Sequence, residues 1–300
     1  MRAVLELPAG FRFDRTVFGH GWATLPPFRF DAGGRRLESV VALPTGGAAR
    51  IRLSAAPAGV LDEAPGRISA FLRQAARLKL NLEVDFSGFH DAAREHEEFA
   101  WIAETGAGRL LRCPTLFEDL AKLILTTNCT WAFTTRMVRA LVDSYGERAA
   151  DGSRSFPTPR AIARAGEREL RERIRAGYRA PSLARLARMV VSGEVDPEAW
   201  ERDGREPAEL RREMLELPGV GPYVAENMLR FLGRPHGLGL DSWLRAKYYR
   251  MHHEGGRVTD RTIARRYARF GRWAGLALWC EMTRDWFDDD GPSAAWDSLT

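Results

Sequence analysis

Two groups of residues near the middle of the chain have the types and spacing that could carry chemistry. The first is the run Leu-Pro-Gly-Val-Gly at residues 217–221, whose Gly219 and Gly221 allow a sharp turn and a close approach by a partner molecule. Pro222 then suits the first position of a helix, where its missing N–H costs nothing. The free amides of that helix carry the positive end of its dipole, which suits a phosphate. The sequence therefore predicts a hairpin between two helices with an anion-binding end.

The second group is centred on Asp241, twenty residues after the hairpin and directly before Ser-Trp-Leu-Arg. An Asp at the start of a helix is a favoured N-cap, because its carboxylate accepts from the first free amides. A carboxylate held in place can also stabilise positive charge that develops on a reacting group, or orient a water. For an isolated Asp we would prefer the cap, and the two roles are compatible.

Taken together, these motifs resemble the helix-hairpin-helix (HhH-GPD) superfamily of DNA glycosylases, in which a similar hairpin precedes a catalytic Asp. The resemblance extends to residues 109–131, which look like the entry helix of relatives of 8-oxoguanine DNA glycosylase, and to residues 266–282, which look like their closing helix. The first hundred residues fit the extra domain of the 8-oxoguanine and 3-methyladenine II (AlkA-like) branches. The resemblance implies an enzyme that flips a modified base out of double-stranded DNA and breaks its N-glycosidic bond, with Asp241 as the catalytic carboxylate.

Residue 223 decides which reaction the resemblance implies. Bifunctional members carry a Lys at this position, whose amine attacks the sugar and leads to strand cleavage. This chain has Tyr223, and the nearest amine in sequence, Lys247, is expected to face solvent or phosphate. We therefore expect a monofunctional enzyme that uses water. A bifunctional oxidised-purine glycosylase with another amine, and a lesion-binding protein without chemistry, remain as alternatives.

The resemblance also suggests a base pocket that departs from the 8-oxoguanine pattern. Leu278 stands where those enzymes have a Gln, Met282 where they have a Phe, and Asn227 where they have a Cys. Loss of the Gln removes a hydrogen-bond partner on which sharp discrimination depends. With Tyr223, these residues predict an apolar, aromatic pocket with one amide. An alkylated purine, another damaged base, or a hypermodified base of phage DNA would each be a candidate, so repair and defence both stay open.

Further residues are implied to contact DNA. The hairpin is expected to bind phosphate through the backbone of Gly219, Val220, Gly221 and Val224. Asn128 belongs to a loop that fills the gap left by a flipped base. Trp243 either packs on the DNA backbone or anchors its helix, whereas Trp273, Trp279 and Trp286 are expected in the core. A similar hairpin in the family also binds a monovalent cation through backbone carbonyls.

Composition is consistent with this interpretation without establishing it. The net charge of +5 results from 45 basic and 40 acidic residues, and it is compatible with a polyanionic partner. The three cysteines complete neither a disulfide framework nor a four-cysteine iron–sulfur cluster. The pair His252-His253 lacks further ligands at metal spacing, so no metal is expected. Without a signal-peptide pattern or a membrane-spanning run, we expect a cytoplasmic monomer.

The strands and helices predicted from the sequence indicate a mainly α fold with an N-terminal α+β domain. We expect that domain over residues 1–100, a helical body over 101–287 and an acidic tail over 288–300. The predicted strands are Arg2–Leu5, Phe11–Phe13, Phe28–Phe30, Ser39–Leu43 and Ala49–Leu53, followed by a helix over Pro65–Leu80. Thr115 and Glu118 suggest a capping box. A single helix is expected over residues 259–285, and the loop at residues 19–22 is expected to hold a structural His20 and a core Trp22.

Overall fold

The structure is a computed structural model that describes residues 2–31, 35–56, 59–63 and 69–287. The expected acidic tail lies outside the described residues, and so do residues 65–68 of the predicted helix over Pro65–Leu80. The rest of that helix is present. Helices dominate the described chain and a small antiparallel sheet lies near its N-terminus, which confirms the predicted fold class.

The sheet has five antiparallel strands in the order β1-β5-β4-β3-β2. They are β1 Arg2–Leu5, β2 Arg29–Asp31, β3 Arg36–Ala42, β4 Ala48–Ala56 and β5 Gly59–Glu63. In the register of β3 with β4, Leu37 lies opposite Leu53, and both side chains are buried. The prediction of a strand at Phe11–Phe13 was wrong, because Phe13 begins a helix instead, and β5 was missed.

Thirteen α-helices belong to the described residues. They are α1 Phe13–Val17, α2 Ala70–Lys79, α3 Ser87–Arg94, α4 Ala100–Thr105, α5 Leu116–Thr126, α6 Trp131–Tyr145, α7 Pro159–Glu172, α8 Ala180–Ser192, α9 Pro207–Leu215, α10 Pro222–Phe231, α11 Ser242–His253, α12 Asp260–Tyr267 and α13 Ala274–Met282. Short 3-10 turns connect several of them, and no helix among the described residues is long and apolar enough to cross a membrane.

Helix α5 is buried over nearly its whole length, and its last residue, Thr126, lies at the candidate site. Its residues 116–125 are all buried. Thr115 accepts a hydrogen bond from the amide of Glu118 at 3.2 Å, as the capping box predicts. The carboxylate of Glu118, however, binds Lys122 at 2.7 Å instead of returning to the cap. Only half of the predicted box therefore forms.

The C-terminal region differs from the single helix that the sequence predicts over residues 259–285. Gly271 has φ 53° and ψ −125°, a conformation outside the helical region that glycine tolerates. The chain therefore forms α12, a 3-10 segment Ala268–Trp273, α13 and a final turn Arg284–Phe287. This break determines which side of α13 faces the candidate site.

Residues 86–102 pack with the C-terminal helices. Phe89 and Phe99 belong to the same buried cluster as Tyr267, Phe270 and Trp273. The sheet belongs to the other large cluster, together with α5, α6 and α10. The end of the predicted N-terminal domain thus shares a core with the last helices of the chain.

Candidate active site

The hairpin between α9 and α10 is tightly packed at one glycine and open at the other. Gly219 has φ 80°, and a Cβ added there would lie 2.8 Å from the Cβ of Ser182 on α8. At Gly221 an added Cβ would meet open space. Gly221 is also the N-cap of α10 and offers no side-chain acceptor to the first amides of that helix. The side chains of Val220 and Val224 are buried, so these two residues can present only backbone groups to a partner.

The loop of Asn128 lies next to this hairpin, because Ile124 near the end of α5 also approaches Gly219. Asn128 is exposed with φ 48°, and its Nδ2 donates to the hydroxyl of Tyr178 at 3.2 Å. That hydroxyl is also 3.1 Å from the hydroxyl of Thr127, and the guanidinium of Arg179 donates to the carbonyl of Thr127. Tyr178 is 56% exposed despite its large ring. Tyr178 was not predicted from the sequence, and only its exposure beside Asn128 identifies it.

A cavity of about 270 Å³ opens beside this loop. Asp241 and Tyr223 both line it, as does Trp243, so the structure brings these three predicted residues together. The aromatic walls are completed by Trp131, Trp279 and Trp286. Hydroxyl and thiol groups come from α5, α6 and the loop between them: Thr126, Cys129, Thr130 and Thr134.

The tryptophans of the cavity form a mutually packed wall. The ring of Trp243 lies 6.1 Å from that of Trp279 and 5.8 Å from that of Trp286, and the rings of Trp279 and Trp286 meet edge to face at 5.9 Å. The indole N–H of Trp279 donates to the carbonyl of Gly19 at 2.7 Å, and that of Trp131 donates to the hydroxyl of Thr24 at 3.1 Å. Since these two N–H groups bind within the protein, the wall is mainly apolar.

The segment at residues 19–22 supports this wall from behind. A Cβ at Gly21 would lie 2.3 Å from the ring of Trp131, so only glycine allows that indole to stack on Trp22. Burial lowers the pKa of His20 to about 3, which keeps its ring neutral while it bonds to the carbonyl of Leu111. Trp22 is buried and donates to Asp119. The predictions of a structural His20 and a core Trp22 are confirmed.

Asp241 combines a cap with a place in the cavity wall. Its Oδ1 accepts from the amide of Leu244 at 2.7 Å at the start of α11, as predicted. Burial raises the pKa of the Asp241 carboxyl, whereas the Leu244 amide and the charge of Arg230 oppose that rise. Burial also raises the pKa of Tyr223 to about 12, with a further contribution from Asp241. Tyr223 therefore lines the cavity as a neutral phenol at neutral pH, and its hydroxyl lies 3.4 Å from that of Thr126.

Three residues that the sequence analysis placed in the base pocket do not line this cavity. Leu278 and Met282 are completely buried in the core between the C-terminal helices. Asn227 uses its Nδ2 for the carbonyl of Tyr223 and its Oδ1 for Arg230, at 2.8 Å each. Helix α13 directs Trp279 toward the cavity, whereas Leu278 and Met282 were expected there. Trp279 and Trp286 both line the cavity, so the expectation that they belong to the core alone was wrong.

None of the three lysines of the chain lines the cavity, although all three lie in the described residues. Lys247 is buried, and its Nζ lies 2.6 and 2.7 Å from the two carboxylate oxygens of Asp285. The expectation that it faces solvent or phosphate was wrong. Lys122 is buried against Glu118, and Lys79 is buried within α2. Among the described residues, no cluster of three or more His, Cys, Asp or Glu could hold a metal ion.

A helix-hairpin-helix with an Asp twenty residues later, beside an aromatic cavity, defines the class of fold. The sequence profile of the HhH-GPD superfamily of base excision DNA repair proteins matches residues 121–275. This match covers more than half of the 300 residues. The chain belongs to the HhH-GPD superfamily.

Individual proteins are similar to this chain in sequence or in fold. A "Probable N-glycosylase/DNA lyase" of Methanothermobacter thermautotrophicus is 24% identical over 215 residues, which cover 64% of this chain and 67% of that protein. The 3-methyladenine DNA glycosylase of Archaeoglobus fulgidus superposes with a TM-score of 0.72 at 20% identity and covers 96% of this chain and 100% of its own. The 8-oxoguanine glycosylase/lyase of Clostridium acetobutylicum gives 0.71 at 16% identity and covers 91% and 93%. These structures share the fold with this chain.

Proposed function

We propose that this chain is a monofunctional DNA N-glycosylase that captures a flipped base in the aromatic cavity and hydrolyses its N-glycosidic bond. The observation that supports this proposal is a cavity in which the carboxylate of Asp241 stands among five aromatic rings, with no lysine in its lining. The product would be an abasic site in an otherwise intact strand.

The proposed chemistry follows from the charge that the reaction develops. When the bond between C1′ and the base nitrogen breaks, the electron pair leaves with the base and positive charge accumulates on the sugar. The half-buried carboxylate of Asp241 can stabilise this charge in a medium of low polarity, where its effect is larger than in water. A water then adds its oxygen to C1′ and releases a proton. The cap on α11 holds the carboxylate in place for this role.

The absence of lyase activity is proposed from the lysine positions. A Schiff base requires a free amine next to C1′. Tyr223 cannot form one, and the amine of Lys247 is bound to both oxygens of Asp285. The name of the Methanothermobacter relative includes a lyase activity, which makes the bifunctional reaction the alternative to test. Borohydride, which reduces a Schiff base to a stable bond, would trap the enzyme on DNA only in that case.

The cavity favours a compact base that is recognised by stacking. Stacking of a base on an aromatic side chain contributes about 1–3 kcal/mol, and aromatic faces also attract a positively charged ring. A volume of about 270 Å³ lies below the range of pockets that hold drug-sized ligands. We therefore propose a purine alkylated on a ring nitrogen as the substrate class. The small volume makes a hypermodified phage base that carries a sugar the less favoured candidate.

Double-stranded DNA is proposed to dock across the hairpin and the loop of Asn128. The free amides at the start of α10 would bind a phosphate, with Gly221 open to its approach. Asn128 and the exposed ring of Tyr178 would occupy the gap left in the duplex by the flipped nucleotide. The hairpin packs on α8 and α5, so these groups lie on neighbouring surfaces.

Mass spectrometry of released bases tests the proposal. Duplexes with alkylated, oxidised, deaminated or sugar-bearing bases would be incubated with the wild type and with Asp241→Asn, which keeps the size of the side chain. We expect release of an alkylated purine by the wild type and a loss of about 100-fold or more in the variant, the scale of losing one electrostatic stabiliser. Equal release by Asp241→Asn would refute the catalytic assignment. DNA binding without release from any duplex would favour the lesion-binding alternative.

A further inference from the structure

The segment between α10 and Asp241 is held by two charged side chains of α10 that the sequence analysis did not single out. Glu226 accepts from the amide of Gly237 at 2.6 Å and is itself bound by Arg211 at 2.6 Å. Arg230 donates to the carbonyl of Leu238 at 2.9 Å. These contacts hold residues 237–238, three to four positions before Asp241.

The close packing of this segment leaves little room for it to move. Gly239 has φ 61°, and a Cβ there would lie 2.9 Å from the guanidinium of Arg230 and 3.3 Å from the Cβ of Glu226. On the opposite side, a Cβ at Gly275 of α13 would lie 2.1 Å from the carbonyl oxygen of Gly237. The path of the chain into Asp241 is therefore determined by Arg230, Glu226 and α13 together.

Arg230 is also a buried cation. It is 2% exposed, and both of its hydrogen-bond acceptors, the Oδ1 of Asn227 and the carbonyl of Leu238, are neutral oxygens. Within the described part of the chain it forms no ion pair. Burying a charge without a paired opposite charge is costly. Burial lowers the pKa of Arg230, and the nearby carboxylates of Glu226 and, to a smaller extent, Asp241 oppose that change. Its guanidinium carbon lies 5.4 Å from the ring centre of Trp279, a wall of the cavity that Asp241 also lines.

We propose that Arg230 is a positioning residue that fixes the segment leading to Asp241 and supplies the buried positive charge that keeps its carboxylate ionised. The inference rests on the proposed function, because an ionised Asp241 is what the sugar cation requires. It also explains Asn227, whose amide orients the guanidinium beneath the cavity instead of reading the base.

Of the described groups that face Asp241, the Leu244 amide opposes the rise of its pKa most, and Arg230 supplies the buried net positive charge. Tyr223 on α10 is a neutral phenol, and the Leu244 amide on α11 is a dipole without net charge. Arg245 on α11 contributes in the same direction as Arg230. However, Arg245 binds both oxygens of the exposed Asp260 at 2.8 Å, so its charge is already compensated and screened by solvent. Burial raises the pKa of the Asp241 carboxyl, and the Leu244 amide, then the charge of Arg230, then the Trp243 amide counteract that rise.

The test compares three variants by two measurements, the titration of Asp241 and the pH dependence of base release. Arg230→Gln removes the charge and keeps an N–H donor, Arg230→Lys keeps the charge, and Arg245→Gln removes an equal charge from the exposed pair. The ¹³C signal of the Asp241 carboxyl, assigned by its loss in Asp241→Asn, would be titrated in the free protein. The pH dependence of base release would be measured in parallel.

We expect Arg230→Gln to move the titration midpoint of Asp241 upward by roughly one pH unit, the low end of the effect of a nearby opposite charge. The acidic limb of base release should move by the same amount, because the protonated carboxyl cannot stabilise the sugar cation. Arg230→Lys should stay near the wild-type midpoint but turn over more slowly, since Lys lacks the planar fork that reaches two acceptors. Arg245→Gln should shift the midpoint less than Arg230→Gln.

An unchanged midpoint in folded Arg230→Gln would overturn the proposal, and so would an equal shift in Arg245→Gln. If Arg230→Gln does not fold, Arg230→Met carries the same test, because it fills similar space without charge. The carboxyl titration needs neither DNA nor turnover. A failure of the proposed glycosylase function would therefore leave it interpretable.

Discussion

At the scale of single residues, Asp241 combines an observed structural role with the proposed chemical one. Its carboxylate caps the N-terminus of α11 and also lines the cavity. Helical capping fixes the carboxylate without closing off its face toward the cavity. The tryptophans around it line the same cavity, and we propose that their rings select a compact planar base.

Trp286 offers a direct test of the stacking wall. Trp286 and Trp273 are nearly equally buried, at 4% and 5% exposure, but only Trp286 lines the cavity. Both Trp286→Leu and Trp273→Leu should lower the free energy of unfolding by a few kcal/mol through lost packing. Only Trp286→Leu should also lower kcat/KM for base release, by roughly tenfold or more, because a stacking surface is lost. Equal kcat/KM losses in the two folded variants would argue against a stacking role for Trp286.

At the scale of elements, the hairpin contains two glycines, Gly219 and Gly221, and each is glycine for a different reason. The fold itself requires glycine at Gly219, since its positive φ and its closeness to Ser182 both disfavour a side chain. Gly221 has open space beside it, so the protein itself would tolerate a Cβ there. The proposed need for glycine at Gly221 comes from the DNA, whose phosphate must approach the backbone.

Alanine substitutions separate these two reasons. Gly219→Ala should lower the free energy of unfolding by about 1–3 kcal/mol, because it strains the backbone and meets Ser182. Gly221→Ala should keep its stability but bind duplex DNA more weakly. Gly204→Ala, another glycine with open space around it, serves as the control and should change neither quantity. Thermal unfolding and DNA titration at constant salt would measure both effects. Wild-type DNA affinity in Gly221→Ala would remove the hairpin from the proposed interface.

At the scale of the whole molecule, the site was predictable where its signals are local. The hairpin, the cap at Asp241 and the aromatic at Tyr223 follow from residues within one stretch of sequence. Which side chains of α13 and of the final turn reach the cavity depends on the break at Gly271 and on packing across the molecule. Neither is visible in the local sequence, and Trp279 and Trp286 were therefore assigned to the core. Lys247 was misplaced for the same reason, because its partner Asp285 is 38 residues away in sequence.

The pair of Lys247 and Asp285 provides a test at this scale, since it ties α11 to the turn that carries Trp286. Lys247→Met keeps an apolar chain of similar length and leaves Asp285, which is 61% exposed, free to be solvated. We expect the variant to fold with lower stability and to retain base release. If the wild type cut the strand and Lys247→Met did not, Lys247 would be the amine of a bifunctional enzyme. Strand-cleavage assays on gels, run beside thermal unfolding, would measure both.

Whether the reaction is monofunctional is measured on one duplex with a releasable base, by quantifying two products in the same sample. Released base and strand breaks would be quantified before and after alkali, with Asp241→Asn as the inactive control. We predict base release without strand breaks until alkali is added, after which breaks should equal the released base, and loss of both products in Asp241→Asn. Strand breaks that match base release before alkali, together with trapping by borohydride, would contradict the monofunctional mechanism.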